Sequence, residues 1–456
     1  MAYESLRDLL EALEAEGEAR RVKAEVTPRY ELGALCRKLF REEGPVAILE
    51  RVTGSETPVV TNPFTSRKRV AFALQVPEAE LLHYWRGCFR KRVEPVRVSR
   101  APCQEVVREV DLLRFPVPIT WNERDAGPYI TFGLFICRNP ETGEGNMAIY
   151  RIHIKGRNRG GILIKIPGHA ATCHELAEQR GEPLEFAVAL GAEPALYLAS
   201  QAPLPFGEDE LGFAGALKGK PVELVRCQTV DLEVPASAEI VLEGRILPGV
   251  RETEGPFGEW HGYYSGAGPR PVLEFTGVTH RKDPLYLTTY EGLPVYGPTN
   301  VMQAVAREPV WYEYIRSYSC PTIRDICFTP GGCSGLHVVV SIRKRVEGQA
   351  KNVIADVLRS HSVKHVVVVD DDIDPRDTRQ VEWAIATRVQ ADQDVIIMPG
   401  AAGLKIDPSQ PHFPSGVGAK MGIDATRPLE REFPEIVDVP EAMRQQVEAR
   451  WAEYGL

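Results

Sequence analysis

Between residues 128 and 290 the chain breaks into short runs rich in Ile, Val, Phe and Tyr: YITFGLFIC, MAIYRIHI, GILIKI, PLEFAVAL, EIVLEGRI, PVLEFTGV and LYLTTY, divided by glycine-bearing turns. Runs of this length and composition make strands, so the middle of the chain is predicted to be a β-barrel or sandwich with inserted helices. The flanks have another rhythm. Leu6, Leu9, Leu10 and Leu13 share one helical face, and helices near 30–42 and 77–91 with strands near 46–52 and through 58–75 make an α/β unit. The proline-bearing run from Glu94 to Pro118 reads as an extended crossing between domains. After Val301 the helical runs VAREPVWYEYIRSY, GQAKNVIADVLRS and RQVEWAIATRV alternate with LHVVVSI, KHVVVVDDDID and DVIIM, before a last helix near 440–453. The expected fold class is multi-domain α/β, with an N-terminal α/β domain over 1–105, a central β domain over 106–300 and a C-terminal α/β domain over 301–456.

Charge excludes some functions. The net charge of −9 comes from intermixed acids and bases, with no dense Lys/Arg face for a nucleic-acid backbone. The start, MAYESLRDLLEALEAEGEARR, lacks the apolar core of a secretory signal, and no later segment approaches a membrane span, so a cytoplasmic protein is expected. Nine cysteines include no CxxC pair, and Cys320, Cys327 and Cys333 are spaced too widely for common zinc motifs. Buried free thiols in a reducing compartment are the expectation.

Several strings could carry chemistry. In NMAIYRIHI, Asn146 and Arg151 are five apart and on opposite faces of an ideal strand, unless a bulge or twist brings both to one site. Arg151 could equally point to solvent. In GHAATCHELAEQRG, Gly168 precedes His169 at a predicted helix start, and His174, five positions later, does not share its face. Either imidazole could simply cap or contact solvent. Glu208, Asp209 and Glu210 open a small-residue helix, where acids are expected on electrostatic grounds alone. An amide oxygen, one imidazole and one carboxylate form a hard, incomplete ligand set that suits Mn or Mg completed by phosphate oxygens. In TEGPFGEWHGYY, Glu254 and Glu259 bracket a Gly-Pro-Phe-Gly turn, which can bring two carboxylates to one pocket or leave both exposed. Paired carboxylates beside a basic residue suit proton transfer. VVVVDDDIDPRD is read as a strand ending in an Asp-rich turn rather than a metal loop, and neither PGGCSG nor SGVGAK has Walker spacing.

Taken together, GNMAIYR, the GHAATCH segment, DELGFAGAL, EGPFGEWHGY, VVVVDDDIDPRDTRQVEWAIATR and GAKMGIDAT resemble the UbiD family of decarboxylases along nearly the whole chain. The resemblance implies a central split β-barrel like those of flavin reductases, and a C-terminal domain involved in oligomerisation. It implies manganese ligands at Asn146, His169 and Glu210, completed by the phosphate of prenylated FMN, and a catalytic network of Arg151, Glu254 and Glu259. Cofactor contacts are expected from Ile149, Tyr150, Arg151 and Gly168, with Lys165 and Lys420 as candidates for the phosphate. A potassium site is implied at Ala199, Ser200, Ala202, Glu210, Arg388 and Asp424.

Loss of carbon dioxide from an sp² carbon needs an electron sink that no side chain supplies, which is why a cofactor is expected. Arg151 would orient the substrate carboxylate, Glu259 would protonate the carbon, and Glu254 would hold Arg151 and tune Glu259. The implied reaction is reversible decarboxylation of an aromatic, heteroaromatic or α,β-unsaturated acid, with a separate flavin prenyltransferase supplying the cofactor and a homodimer or dimer-based oligomer as the assembly. Ile149, Trp260, Leu404 and Ile406 are expected to line the pocket. The alternatives are a metal-dependent hydrolase using the Asn/His/Glu site without flavin, and a non-catalytic flavin-binding assembly subunit.

Overall fold

The computed structural model describes residues 3–164 and 168–455. Ser5 accepts the Asp8 backbone N–H at 3.2 Å and starts the helix Leu6–Ala15, whose Leu6, Leu9, Leu10 and Leu13 are all buried. A four-stranded sheet follows, ordered Ala19–Val26, Val46–Val52, Val59–Thr61 and Tyr286–Thr288, so its last strand comes from far along the chain. The extended stretch expected through residue 75 is shorter than predicted. Ser66 caps the Arg69 N–H at 3.2 Å, and Arg67–Leu74 forms a helix that buries Val70, Ala71, Ala73 and Leu74.

The middle of the chain forms a nine-stranded sheet in which the paired strands are antiparallel. From one edge the order is Tyr129–Ile130, Ile152–Ile154, Arg159–Ile162, Gly268–His280, Ile240–Glu254, Leu184–Leu190, Leu134–Arg138 and Gly145–Ile149, with Val106–Arg108 also pairing Gly268–His280. Alternate residues enter different cores: Leu134, Ile136, Ala187 and Ala189 on one side, Phe135, Cys137, Phe186 and Val188 on the other. Both faces are therefore dry, as the apolar density of these strands requires.

One connection fixes the shape of this sheet. Gly145–Ile149 lies at one edge, whereas Ile152–Ile154 lies one strand in from the other, and only Tyr150 and Arg151 join them. Three virtual bonds span at most about 11 Å, but six strand spacings laid flat would cover about 29 Å. The sheet must roll until its edges nearly meet, which gives a split barrel. The run NMAIYRIHI, expected as one strand, is thus two strands near opposite edges, interrupted where the barrel closes. Register shifts between Glu243 and Gly244 and between Ile246 and Arg251 bend the longest strand in the same region.

The C-terminal unit is a five-stranded sheet ordered Ile323–Phe328, His337–Ile342, His365–Asp370, Val417–Ala425 and Val395–Ala402. The 21-residue helix Pro298–Tyr318 leads into it. On that helix the buried Glu308 carboxylate pairs with Arg67 of the N-terminal unit at 2.6 Å and Arg376 of the C-terminal unit at 3.1 Å. The last helix, Glu441–Ala449, buries none of its residues, and Trp451 and Tyr454 beyond it are exposed. All nine cysteines are free and buried, as expected. Among the described residues no helix is long and apolar enough to cross a membrane.

Gly244 sits at the first bulge of the strand that ends in Glu254. A Cβ there would lie 2.3 Å from the Glu274 carbonyl oxygen and 2.8 Å from Phe186. Gly244→Ala should therefore destabilise the fold by about 1–3 kcal/mol, read as a lower urea midpoint of the central-domain transition.

Candidate active site

The interruption that closes the barrel also places its arginine. Arg151 leaves the sheet at the seam, Glu254 is the last residue of Ile240–Glu254, and the hairpin of Phe257–Gly258 with Tyr264–Ser265 folds Glu259 back toward both. Gly255 makes the turn possible: its φ is +83°, and a side chain there would meet the Gly266 carbonyl at 2.9 Å.

Arg151 holds Glu254 in a two-pronged pair, Nε to Oε1 and Nη2 to Oε2, both at 2.9 Å. Its Nη1 donates to Glu259 and, at 3.0 Å, to the Ser265 hydroxyl, which in turn donates to the Phe257 carbonyl at 3.2 Å. The Tyr129 hydroxyl donates to Glu254 Oε1 at 3.2 Å, and the Phe257 ring lies 4.9 Å from the guanidinium carbon. The side chains of Arg151, Glu254 and Glu259 are only 8%, 0% and 7% exposed. Burial works to lower the Arg151 pKa, yet Glu259 and Glu254 outweigh it and raise it. One cation is therefore shared by two carboxylates in a site almost closed to water. Burial, with the Glu254 charge adding to it, likewise drives the Tyr129 pKa up, so that hydroxyl stays a donor.

A second cluster lies at the other end of the same stretch. Asn146 is buried on Gly145–Ile149, its amide 3.9 Å from Cys137 Sγ. Glu210 opens the helix Glu210–Lys218 and accepts the Met147 backbone N–H at 2.8 Å, which ties it to the residue beside Asn146. Its neighbours are engaged elsewhere: Glu208 pairs with Arg92, and Asp209 caps the helix through the Leu211 N–H at 2.8 Å. Burial pushes the Glu210 pKa up to about 7, and among the described residues no cation pairs with it. His169 is the first residue of the helix His169–Gln179, after Gly168 at the N-cap, with its ring 5.2 Å from that of Phe206. His174 is turned away, its Nδ1 4.0 Å from Glu178.

A buried carboxylate without a cation fits a metal ion. Among the described residues no group of three His, Cys, Asp or Glu side chains is arranged to hold one. The Asn146, His169 and Glu210 set has only two such groups, so an ion there would depend on further oxygen ligands, which a phosphate supplies. Tyr150 sits beside this cluster, its ring edge-on to Phe135 at 5.6 Å, and Ile149 is half-buried.

Other expected residues are placed differently. Lys165 lies outside the described residues. Lys420 is committed elsewhere: its ammonium donates to the carbonyls of Leu358 and Ser360 at 2.8 and 2.6 Å, inside the C-terminal unit, rather than toward the barrel. Ala199, Ser200 and Ala202 lie in or just after the helix Pro194–Ala199, which packs on Glu210–Lys218. Arg388 and Asp424 belong to the C-terminal unit, where Arg388 donates to Asp370 and Asp372 at 2.8 Å and Asp424 accepts the Thr426 N–H at 3.0 Å. The structure does not join these two groups. Leu404 and Ile406 lie between the strands Val395–Ala402 and Val417–Ala425, and Trp260 is buried directly after Glu259. The Asp-rich run is a turn, as expected, with its acids paired to Arg343, Arg388 and Arg427. Tyr129 and Ser265 were not legible as site residues, because each reaches Arg151 or Glu254 only through the rolled sheet and the hairpin.

Comparison with known proteins agrees with this architecture. The N-terminal, Rift-related central and C-terminal domains of 3-octaprenyl-4-hydroxybenzoate carboxy-lyase match residues 10–86, 94–294 and 300–425. The anhydromevalonate phosphate decarboxylase of Methanothermobacter thermautotrophicus is 39% identical over 415 residues, 90% of this chain and 95% of that protein. The UbiD-class enzyme HmfF from Pelotomaculum thermopropionicum, solved with FMN, superposes with a TM-score of 0.91 at 44% identity, over 96% of this chain and 98% of that one. An evolved dimeric form of HmfF, solved with prenylated FMN, gives 0.87 at 41% identity, over 97% and 100%. With all three domains matched in order along the chain, the protein belongs to the UbiD family of decarboxylases.

Proposed function

We propose that the protein catalyses reversible, non-oxidative decarboxylation of an aromatic, heteroaromatic or α,β-unsaturated carboxylic acid with prenylated FMN. The observation that carries this reading is the buried Arg151 shared by Glu254 and Glu259, beside a second cluster with an uncompensated carboxylate. Neither a hydrolase nor a non-catalytic subunit needs both. Bound prenylated FMN supplies the electron sink for the carbon that loses carbon dioxide. Asn146, His169 and Glu210 would hold manganese against its phosphate, with the helix start at Gly168 and His169 offering backbone N–H groups and Tyr150 alongside. A potassium ion would sit near Ala199, Ser200, Ala202 and Glu210, with Arg388 and Asp424 contributing only if an assembly contact brings them there.

The roles follow from the contacts. Glu254 and Tyr129 fix the guanidinium plane, so Nη1 keeps one direction. That nitrogen now serves Glu259, and it is where the substrate carboxylate would bind. Substrate binding would thus release Glu259 from its cation, and a buried carboxyl with no cation beside it favours the neutral form that can donate a proton. After carbon dioxide leaves, Glu259 protonates the carbon. In the carboxylating direction it takes that proton back.

The exposed Ile397, Val417, Met443, Trp451 and Tyr454 of the C-terminal unit favour a homodimer or dimer-based oligomer. Nine free thiols suit the cytoplasm, where a separate prenyltransferase would furnish the flavin. The relative from Methanothermobacter has a phosphorylated substrate in its name, which admits phosphorylated acids among the substrates to test.

Glu259→Gln keeps the size of the side chain but removes the transferable proton. Turnover should fall by at least ~10²-fold with flavin occupancy unchanged, and deuterium incorporation into the product, followed by NMR, should slow in parallel. Normal turnover in this variant, with Glu254→Gln inactive, would exchange the two roles.

His169→Ala, or chelation of the wild type, should release flavin together with manganese, measured by absorbance and metal analysis. Because Glu210 must lose a proton to ligate and burial holds its pKa up at about 7, manganese affinity should fall as pH drops below about 7, by up to ~10-fold per unit. Flavin retained at full occupancy after chelation would remove the metal from the cofactor site.

A further inference from the structure

One surface loop carries an acid that turns inward. Across residues 122–126 Glu123, Arg124 and Ala126 are exposed, whereas Asp125 is half-buried. Its carboxylate accepts three N–H groups: Oδ1 takes the Gly258 backbone N–H at 2.9 Å, and Oδ2 takes the Asn122 backbone N–H at 2.9 Å and the Asn122 side-chain amide at 3.3 Å. Burial still raises its pKa, against the pull of those bonds and of the Arg151 charge. An acid kept inside at that cost serves the groups it accepts, and one of them lies one residue before Glu259.

The loop grips both strands of the hairpin that carries Glu259. Besides the Asp125 bond to Gly258, the Ala126 N–H donates to the Pro256 carbonyl at 2.9 Å and the Arg124 N–H to the Tyr264 hydroxyl at 3.2 Å. The approach is so close that glycine is required at 258, where a Cβ would lie 2.6 Å from Asn122 Nδ2. The loop is itself anchored. Asn122 Oδ1 accepts the Tyr290 hydroxyl at 2.8 Å, its amide donates to the Glu291 carbonyl at 3.3 Å, and Arg37, on the helix Glu31–Arg41, donates to the Tyr290 hydroxyl at 3.4 Å. A chain of hydrogen bonds thus runs from the N-terminal unit through Tyr290, Asn122 and Asp125 to the peptide just before Glu259. The bonds of Glu259 itself are local or shared: its backbone closes a turn with Tyr263 and Gly262 at 3.0 and 2.9 Å, and its carboxylate rests on Arg151. When a substrate carboxylate takes that guanidinium, as proposed above, the position of Glu259 depends on its hairpin.

We infer that Asp125 is a positioning residue for proton transfer: by holding the Gly258 N–H from outside the hairpin, it keeps the Glu259 carboxyl at the reacting carbon once the substrate occupies Arg151. A displacement of about 1 Å at a transferring group costs up to about 10²-fold in rate. Asp125 therefore acts through Glu259 and touches neither substrate nor cofactor. This inference rests on the decarboxylase reading, with Glu259 as its acid.

The test uses enzyme reconstituted with prenylated FMN and manganese, and four probe acids: cinnamate, 4-hydroxybenzoate, pyrrole-2-carboxylate and a phosphorylated 2-alkenoate. Asp125→Asn keeps the size of the side chain but sets an amide NH2 against one of the N–H groups that Asp125 accepts. On the acid that turns over fastest it should lower kcat by at least ~10-fold, with KM within about 2-fold and flavin occupancy that of the wild type. Hydrogen exchange, followed by mass spectrometry, should quicken over residues 255–265 and stay unchanged over 184–190. Gly258→Ala pushes the loop away with Asp125 intact, so it should reproduce both effects, and it carries the test where Asp125→Asn does not fold. The double variant separates positioning from a structural role. In the Glu259→Gln background Asp125→Asn should cost less than about 2-fold more, whereas a structural role lowers turnover by the same factor in both backgrounds. Equal losses in the two backgrounds, or wild-type kcat with faster exchange over 255–265, would overturn the inference alone. No turnover of any acid by the wild type, or normal turnover in Glu259→Gln, would remove the reading beneath it and the inference with it.

Discussion

The central domain is organised by a two-residue link. Because Tyr150 and Arg151 alone connect strands on opposite edges of the sheet, the sheet has to curl, and the curl decides what meets what. It brings Tyr129, from one edge strand, to Glu254 at the end of the longest strand, and it sets Arg151 where ladder pairing is interrupted. Both faces of the sheet are packed largely with apolar side chains, so a charged group along a strand has to be met there, as Glu243 is by the Gln228 and Thr229 N–H groups and Arg245 by Glu185. The seam carries the Arg151–Glu254–Glu259 network because there the barrel admits a buried guanidinium without breaking a strand.

Buried charge in this molecule follows one rule, and its exceptions are informative. Glu308 meets arginines from the N- and C-terminal units, Arg388 meets two aspartates, and Lys218 pairs with Glu193. Removing one partner from such a set leaves an uncompensated charge, which costs far more than the pair contributes. Glu243 and Lys420 meet only backbone and hydroxyl groups, which satisfy them without an opposite charge. Glu210 has no cation beside it among the described residues and accepts the Met147 backbone N–H next to Asn146. A protein interior tolerates such a group where a ligand of the opposite sign completes it.

Much of this was legible in the sequence, for identifiable reasons. Near-continuous apolar runs such as LEFAVAL and HVVVV specify strands buried on both faces, and the leucines of the first helix specify a single buried stripe. The turn between Glu254 and Glu259 admitted convergence of two carboxylates without deciding it. What the text hid was long-range. Ladder pairing is not encoded locally, so NMAIYRIHI looked continuous although it changes edges, and SRKRVAFAL looked extended although a serine cap and inward alanines make it helical. Lys420 looked available because sequence records that a lysine is basic and not that two carbonyls at the end of a neighbouring helix already hold it.

The same seam would let two clusters with different tasks share the proposed cofactor. Asn146 and Arg151 would face opposite sides of a regular strand, five residues apart, with a packed sheet between them. Because the strand ends at Ile149 and the chain crosses to the other edge, the residues after the break are free of the first strand's alternation. On the proposed reading, the two clusters would then address two ends of one elongated cofactor, with Glu210 toward its phosphate and Glu259 toward its reacting ring. A single unbroken strand of the same composition would preserve every side chain and lose that arrangement. The site therefore depends on where the ladder stops as much as on which residues it holds.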